Sequence, residues 1–323
     1  MTMKRIIAIL LVFCLLLCGC RGAQERPEQT TTVSATEETL VCRPLMYKVT
    51  SQSGGTLYLL GSIHAADKRA CPLPDFIWDA LSESSYLAVE CDTVALMDSP
   101  ERQAALVMAF MCEPGKKAVD YMGSELYAKM KDYLTEQGLY VPAYDLYTPA
   151  MWMSLAENAI IKQAGLDGNK GIDTQLMKRA HNRDMEIREV ESAEFQYALL
   201  AEMDPQLVSL MLTEYVEHSE DEVAGMTGLY EAWLEGDEAA LLSLLSEDEP
   251  DSLSAEELAL YEDYNKKMIT DRNLHMLEVA EGYLSEQATG FMVVGAAHVL
   301  GDSALAAMLR EHGYTVEFVA PYD

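Results

Sequence analysis

The sequence carries one short pattern twice, near the two ends of its predicted folded part. One apolar run leads into Gly61-Ser-Ile-His64, and another leads into Gly295-Ala-Ala-His298. A buried strand that meets a glycine can turn sharply, which places a histidine three residues later at the carboxyl end of the strand. Because open α/β sheets bind their ligands along that edge, the repeat predicts that two distant strands bring both histidines to one crevice.

The apolar patterns around this repeat predict an α/β fold, with strands near both ends of the chain and helices through its middle. Strands are predicted at 45–50, 56–60, 86–89, 185–190, 291–294 and 314–319, and helices at 76–82, 125–137, 150–164, 172–182, 192–202, 222–245, 255–286 and 303–312. The acidic segment 246–252 is predicted as a loop. The strands of the N- and C-terminal parts form a mixed sheet flanked by helices, with a long central helical insert, in one domain over 41–323.

The N-terminus predicts export and a lipid anchor. Residues 1–19 have a basic start, a 12-residue apolar core and a small-residue exit, as in a lipoprotein signal peptide. Residues 17–20 resemble a lipobox, which makes Cys20 the lipidated residue; the alternative is a plain secretory signal cut near residue 22. Residues 20–40 contain few large apolar side chains and are predicted to be a flexible tether. The protein is therefore expected on the outer face of the cytoplasmic membrane.

Charge and cysteine usage limit the partners and the redox chemistry. The chain has 23 Lys and Arg against 53 Asp and Glu, a net charge of −30, which repels phosphate backbones and disfavours nucleic-acid binding. Four cysteines remain after processing in an exported chain, which permits disulfides but leaves their pairing open. These cysteines are Cys42, Cys71, Cys91 and Cys112.

A carboxylate completes a candidate metal site. Glu90 directly follows the predicted strand 86–89, and a charge in that position is costly unless it is paired or ligated. His64, Glu90 and His298 together make a two-histidine, one-carboxylate set that suits a divalent transition metal with an open position for water. The alternative is a pair of core histidines bonded to the backbone and a glutamate in a salt bridge.

From residue 43 to 320 the chain resembles the TraB/GumN/PrgY family, which includes the Tiki metalloproteases. The matching segments, in chain order, are Gly61–His64, Glu90, Tyr147–Trp152, Gly171–Asp173, Glu189–Glu191 with Gln196, Asp271–Asn273 and Val294–Gly301, which contains the second motif Gly295–His298. The resemblance implies a mixed sheet flanked by helices, similar to the erythromycin-esterase/ChaN-like group. It also implies metal-dependent hydrolysis of peptide bonds, with manganese, cobalt or zinc as the ion.

The polar residues of these segments have predicted supporting roles. Arg272 is expected to hold Glu90 or Glu191, or to stabilise a developing oxyanion. Asp173 and Glu191 are expected to orient a ligand imidazole, with Asn273 as a further supporting residue, and Glu90 or Glu191 to shuttle a proton. Ordinary ion pairs are the alternative. The predicted function is an extracytoplasmic, lipid-anchored metallohydrolase that cleaves peptides or proteins; the alternative is a non-catalytic surface protein that sequesters a peptide.

Overall fold

A six-stranded mixed sheet forms the centre of the molecule. The computed structural model describes residues 42–245 and 253–321. The strands are β1 (Met46–Thr50), β2 (Thr56–Ser62), β3 (Tyr86–Val89), β4 (Glu186–Glu189), β5 (Thr289–Gly295) and β6 (Thr315–Phe318). Their order across the sheet is β4-β3-β5-β2-β1-β6. The two strands that lead into the histidine motifs, β2 and β5, are therefore neighbours.

Both parallel and antiparallel pairings occur in this sheet. Strands β4, β3, β5 and β2 run parallel to one another, whereas β1 is antiparallel to both β2 and β6. In the β2–β5 pair Gly61 lies opposite Val294 and Ser62 lies opposite Gly295. The carboxyl ends of the four parallel strands consequently meet at one edge of the sheet, where the sequence predicts the crevice.

Helices cover the sheet and form the long insert between β3 and β5. They are α1 (Asp75–Glu83), α2 (Thr93–Met97), α3 (Pro100–Met108), α4 (Ala118–Glu136), α5 (Pro149–Gln163), α6 (Ile172–His181), α7 (Ala193–Ala201), α8 (Pro205–Glu217), α9 (Ser219–Glu235), α10 (Glu238–Leu245), α11 (Ala255–Asn265), α12 (Asp271–Ser285), α13 (Ala296–Val299) and α14 (Leu305–Glu311). The predicted α/β class, with a mixed sheet flanked by helices, is confirmed.

Two predicted helices are each divided in the structure. The predicted helix 222–245 is two helices, because Gly236 adopts a left-handed conformation (φ 67°) that ends α9. The predicted helix 255–286 contains a π-helical turn at Lys266–Thr270 between α11 and α12. The predicted signal peptide, the tether with Cys20 and the loop 246–252 lie outside the described residues.

Apolar side chains form two clusters, a sheet core and a helical core. The sheet core joins the strands to α1, α6, α9, α12 and α14, and the helical core joins α4, α5, α7, α8 and α11. In the part of the chain that the structure describes, no helix is both long and apolar enough to cross a membrane. The thiols of Cys42, Cys71, Cys91 and Cys112 are all unpaired, so none of the disulfides that the sequence permits is formed.

Candidate metal centre

The two Gly-x-x-His turns lie side by side at the carboxyl edge of the sheet. A Cβ on Gly61 would lie 3.1 Å from the backbone of the second turn, so the absent side chain lets the turns approach each other. Trp233 donates from its indole to the carbonyl of Gly61 at 2.8 Å, which fixes the end of β2 before His64. His298 stands on α13, which begins directly after Gly295.

Each imidazole is held at Nδ1 by a different side chain. His64 Nδ1 lies 2.6 Å from Oδ2 of Asp173, and His298 Nδ1 lies 2.7 Å from Oδ1 of Asn273. The Asn273 amide donates from Nδ2 to the carbonyl of Ser303 at 3.0 Å, so its oxygen faces the imidazole. Both partner atoms are acceptors, so each Nδ1 carries a proton and a neutral ring keeps its lone pair at Nε2. Histidines that bind metals are held in this way.

Asp173 reaches His64 because α6 begins against the His64 turn. The backbone N–H of Ile172 donates to the carbonyl of Ile63 at 3.0 Å. A Cβ on Gly171 would lie 2.2 Å from the carbonyl oxygen of His64, a distance that no side chain can accept. The Gly-Ile-Asp sequence at the start of α6 therefore docks that helix onto the turn and presents its carboxylate to the ring.

The three residues predicted to bind a metal surround one point. A Cβ on Gly295 would lie 3.4 Å from Oε1 of Glu90, 3.7 Å from Nε2 of His64 and 3.7 Å from Cδ2 of His298. The N–H of Gly295 donates to the same Oε1 at 2.7 Å. The absent side chain of this glycine thus leaves open a space that the three side chains border.

The buried guanidinium of Arg272 bridges two carboxylates, those of Glu90 and Glu191. The Nη2 of Arg272 lies 2.7 Å from Glu90 Oε2 and 2.8 Å from Glu191 Oε2, and Nε lies 2.8 Å from Glu191 Oε1. The Gln196 amide donates to both carboxylates, at 2.9 and 2.7 Å. Two adjacent buried carboxylates need such compensation. Of the roles predicted for Arg272, the structure shows it holding both glutamates at once.

These contacts set the charge of each group. Burial raises the pKa of Glu90, but the charges of Arg272, His298 and His64 outweigh it and bring the pKa to about 2. Burial and the charge of Arg272 lower the pKa of His298 to about 3. Burial also lowers the pKa of His64, but the Asp173 carboxylate outweighs it and raises the pKa to about 9. The Glu90 carboxylate is therefore ionised, the His298 imidazole is neutral, and the His64 imidazole is the more basic of the two rings.

The donor atoms fit a divalent metal ion in type, although they are not gathered as a finished coordination shell. Across 42–245 and 253–321, no three His, Cys, Asp or Glu side chains stand close enough to hold a metal ion as they are. Among the described residues, Oε2 of Glu90 receives two hydrogen bonds and Oε1 receives one, from Gly295, which leaves Oε1 with a free lone pair. Two imidazole nitrogens and one carboxylate oxygen suit manganese, cobalt or zinc.

Two cavities open onto His64. The first, of about 100 Å³, is also lined by Gly295, Arg272 and His298. The second, of about 310 Å³, is also lined by Glu90, Asp173 and Gln196. His64 thus lines both cavities, whereas His298 lines the first and Glu90 lines the second.

The first cavity contains polar residues that the sequence reasoning did not single out. Ser62, Glu157, Tyr215 and Glu222 line it together with apolar side chains of α5, α9 and α10. One signal was available in the sequence: Glu157 is an acid within the apolar run 149–161, and α5 buries almost all of that run. Such an acid must be compensated or must serve a ligand.

Known proteins resemble this chain over most of its length. The model of the TraB/PrgY/gumN family matches residues 45–318. The chain is 24% identical over 309 residues to the protein named metalloprotease TIKI1 of Danio rerio, in a match that covers 80% of this chain and 60% of that protein. It is 24% identical over 258 residues to the uncharacterized protein YbaP of Escherichia coli (strain K12), covering 78% of this chain and 87% of YbaP. No solved structure matches the chain significantly.

Proposed function

This chain belongs to the TraB/PrgY/gumN family, and on that premise we propose that it hydrolyses peptide bonds with the help of a bound divalent metal ion. The proposal depends on one observation: His64 and His298 are held at Nδ1 and meet Glu90 around the open space at Gly295. The name of the zebrafish relative, a metalloprotease, supports both the metal and the reaction class.

We assign the ligand atoms to Nε2 of His64, Nε2 of His298 and Oε1 of Glu90. When bound, a divalent ion polarises a carbonyl group and activates a water molecule for attack. Asp173 and Asn273 keep the two rings turned toward that position, because each accepts the hydrogen bond from a ring's Nδ1. The protein thereby fixes the donor directions before any substrate enters.

Glu90 and Glu191 have different parts in this proposal. Both oxygens of Glu191 receive hydrogen bonds from Arg272 or Gln196, so Glu191 positions the guanidinium that holds Glu90. Of these two carboxylates, Glu90 lies at the ring edges and offers Oε1 as a ligand oxygen, whereas its Oε2 accepts hydrogen bonds from Arg272 and Gln196. Arg272 keeps Glu90 ionised as a ligand, because its positive charge lowers the pKa of Glu90.

The decisive experiment combines metal analysis with peptide cleavage. Protein purified without chelators is expected to contain close to one divalent ion per chain and to cleave peptides from a mixed library. His64→Ala with His298→Ala is expected to lose both the ion and the cleavage. His312→Ala is the matched control, because this exposed imidazole pairs with Glu281 and lines neither cavity. Full cleavage by the double variant would remove the mechanism.

The second candidate function is capture of a peptide without turnover. It is favoured by one observation, that two cavities of about 100 and 310 Å³ open onto His64 and offer space for a bound peptide. In that case the same crevice would hold a peptide that is recovered intact after a single-turnover incubation. Appearance of two fragments, with mass matching one added water, supports hydrolysis instead.

We also propose that the protein is exported and held on the outer face of the cytoplasmic membrane by a lipid on Cys20. The support is the signal-peptide pattern of residues 1–19 followed by the lipobox-like residues 17–20. Cys20→Ser is expected to release the protein into the medium, because a single residue carries the anchor. Cys42→Ser is the control and should remain in the membrane fraction. Retention of an unlipidated Cys20→Ser protein would exclude the anchor.

A further inference from the structure

The first cavity joins apolar walls to buried acids. Its walls include Ile160, Met226, Leu229 and Trp233, and Glu157 and Glu222 line it as well. Its volume is about 100 Å³, which is room for no more than one side chain. Such a side chain would place methylene groups against the apolar walls and a polar end against the acids.

Glu157 is buried without a compensating cation. Only 7% of its surface is exposed, and its one hydrogen bond in the described part of the chain is a long one, 3.4 Å from the hydroxyl of Tyr215. None of the salt bridges among the described residues includes Glu157. Burial and the charge of Glu222 raise the pKa of Glu157 well above its usual value. A cation in the cavity would offset this cost of burial.

The two basic side chains already lining the cavity, Arg272 and His64, do not meet this need, and His64 is paired with Asp173. Arg272 lines it, but its Nε and Nη2 donate to Glu191 and Glu90, and its Nη1 donates to the carbonyl of Met268. Two carboxylates thus neutralise one guanidinium. The net charge around the cavity is negative, as is the charge of the whole chain, and this field attracts cationic ligands.

A second observation, independent of the acids, also indicates a ligand. Ser62 is only 3% exposed, lines the same cavity and precedes His64 by two residues. Its Oγ has no hydrogen-bond partner among the residues described. Buried hydroxyls normally have a partner, so this one is placed to bond a group that enters the cavity.

We propose that this cavity is a specificity pocket for the basic side chain, lysine or arginine, of a residue next to the cleaved peptide bond. The aliphatic part of that side chain packs against the apolar walls. Its cationic end binds Glu157 and Glu222 through charge-assisted hydrogen bonds, and Ser62 bonds the entering residue near His64. The position next to the cleaved bond rests on the proposed function, whereas the binding of a basic group does not.

The first test measures selectivity. A peptide that the wild type cleaves is resynthesised with lysine, norleucine or glutamate on either side of the cleaved bond. At one of the two positions lysine is expected to exceed norleucine in kcat/KM by about tenfold or more, the usual effect of a hydrogen bond to a charged group. Glu157→Gln and Glu222→Gln should each lower the kcat/KM of the lysine peptide toward that of the norleucine peptide.

Glu214→Gln is the matched control for these variants. Glu214 is also a glutamate with 7% exposure on a neighbouring helix, α8, but it does not line the cavity. This control should keep the lysine preference. Equal cleavage of the lysine and norleucine peptides by the wild type would overturn the pocket and leave the proposed hydrolysis intact.

The second test needs no catalysis. Binding of acetyl-lysine-amide and acetyl-norleucine-amide is measured by ligand-observed NMR on the wild type and on both glutamine variants. The lysine probe is expected to bind the wild type and to lose affinity in each variant. If no peptide is cleaved but the lysine probe binds the wild type and loses affinity in both variants, the pocket for a basic side chain is supported and the proposed hydrolysis is contradicted. Lysine binding that is unchanged in both variants overturns the pocket.

Discussion

At the scale of single residues, the two ring partners differ in charge, and this difference separates the two histidines. Asp173 gives His64 a carboxylate partner and raises its pKa, whereas Asn273 gives His298 a neutral amide. A second carboxylate at 273 would add another buried charge close to Glu90, which is costly without a further cation. The pair of partners thus orients both rings while limiting the negative charge that the site must bury.

Gly295→Ala is expected to preserve the fold and to remove the function. The backbone of Gly295 (φ −50°, ψ 143°) suits any residue, and the added methyl would sit 3.4 to 3.7 Å from its neighbours, which is ordinary van der Waals contact. That methyl would fill the point that the three proposed ligands surround. Metal affinity is expected to fall by at least about tenfold, with an unchanged Tm, as measured by calorimetry with and without added metal.

Gly61→Ala provides the contrast, because Gly61 occupies the equivalent position of the other motif. Its Cβ would lie 3.1 Å from the Cα of Ala296, so the second turn must shift. This variant is expected to lower the Tm in the apo protein as well. If Gly295→Ala binds metal as tightly as the wild type, the metal does not occupy the space left open beside Gly295.

The sequence predicts those site residues that lie near a strand end or in a short motif, but not those that meet only through tertiary packing. His64, His298 and Glu90 could be placed because each follows a strand, and parallel strands end at one edge. The partners of each Nδ1 also carried a sequence signal, as members of short motifs. The cavity residues Ser62 and Glu157 had no such signal in common, because they come from distant parts of the chain and meet only as walls of one cavity.

At the scale of elements, the π-helical turn Lys266–Thr270 connects α11 to α12 and directly precedes the turn of α12 that carries Arg272. Arg272 lies in the first turn of α12, and its Nη1 donates to the carbonyl of Met268 within the π turn at 3.1 Å. Such turns are frequent at functional sites. Periodicity across 255–286 predicted one continuous helix, because a single extra residue in a turn barely alters the apolar pattern.

Gly171→Ala is expected to separate α6 from the His64 turn. The added Cβ would meet the carbonyl oxygen of His64 at 2.2 Å, so the start of the helix must move and carry Asp173 away from the ring. We expect a loss of about 1–3 kcal/mol in unfolding free energy, as for other overpacked sites, together with weaker metal binding. Denaturant titration and metal titration measure the two effects.

Gly282→Ala is the matched control within a helix. Gly282 lies in α12 with no atom within 4 Å of an added Cβ, so the variant should gain up to about 1 kcal/mol from helix propensity and bind metal normally. A Gly171→Ala protein as stable as the wild type and with full metal affinity would contradict the docking role of α6.

At the scale of the whole molecule, the site lies where the sheet core meets the helical core. The first cavity is lined by Trp233 and Leu241 of the sheet core and by Ile160 and Tyr215 of the helical core. The long helical insert could be predicted from its apolar period. Its position over the sheet edge could not, because that position depends on the fit between two cores that are distant in sequence.

The buried acid between these cores makes the stability of the molecule depend on pH. Burial raises the pKa of Glu157 in the folded state, so above the unfolded pKa of about 4.3 the folded protein holds a proton that the unfolded chain has released. The contribution to stability is complete below that pH and is lost as pH rises toward the folded pKa, by up to about 1.4 kcal/mol per pH unit. Glutamine at 157 has no proton to lose.

Glu157→Gln is therefore expected to gain stability relative to the wild type as the pH rises from 5 to 8. Unfolding free energies from urea titration at several pH values give the difference between the two proteins, which should grow with pH. Glu220→Gln is the control, because Glu220 is exposed and its replacement changes no buried charge. A difference between wild type and Glu157→Gln that stays constant across this range would mean that Glu157 is ionised in the folded protein as well as in the unfolded chain.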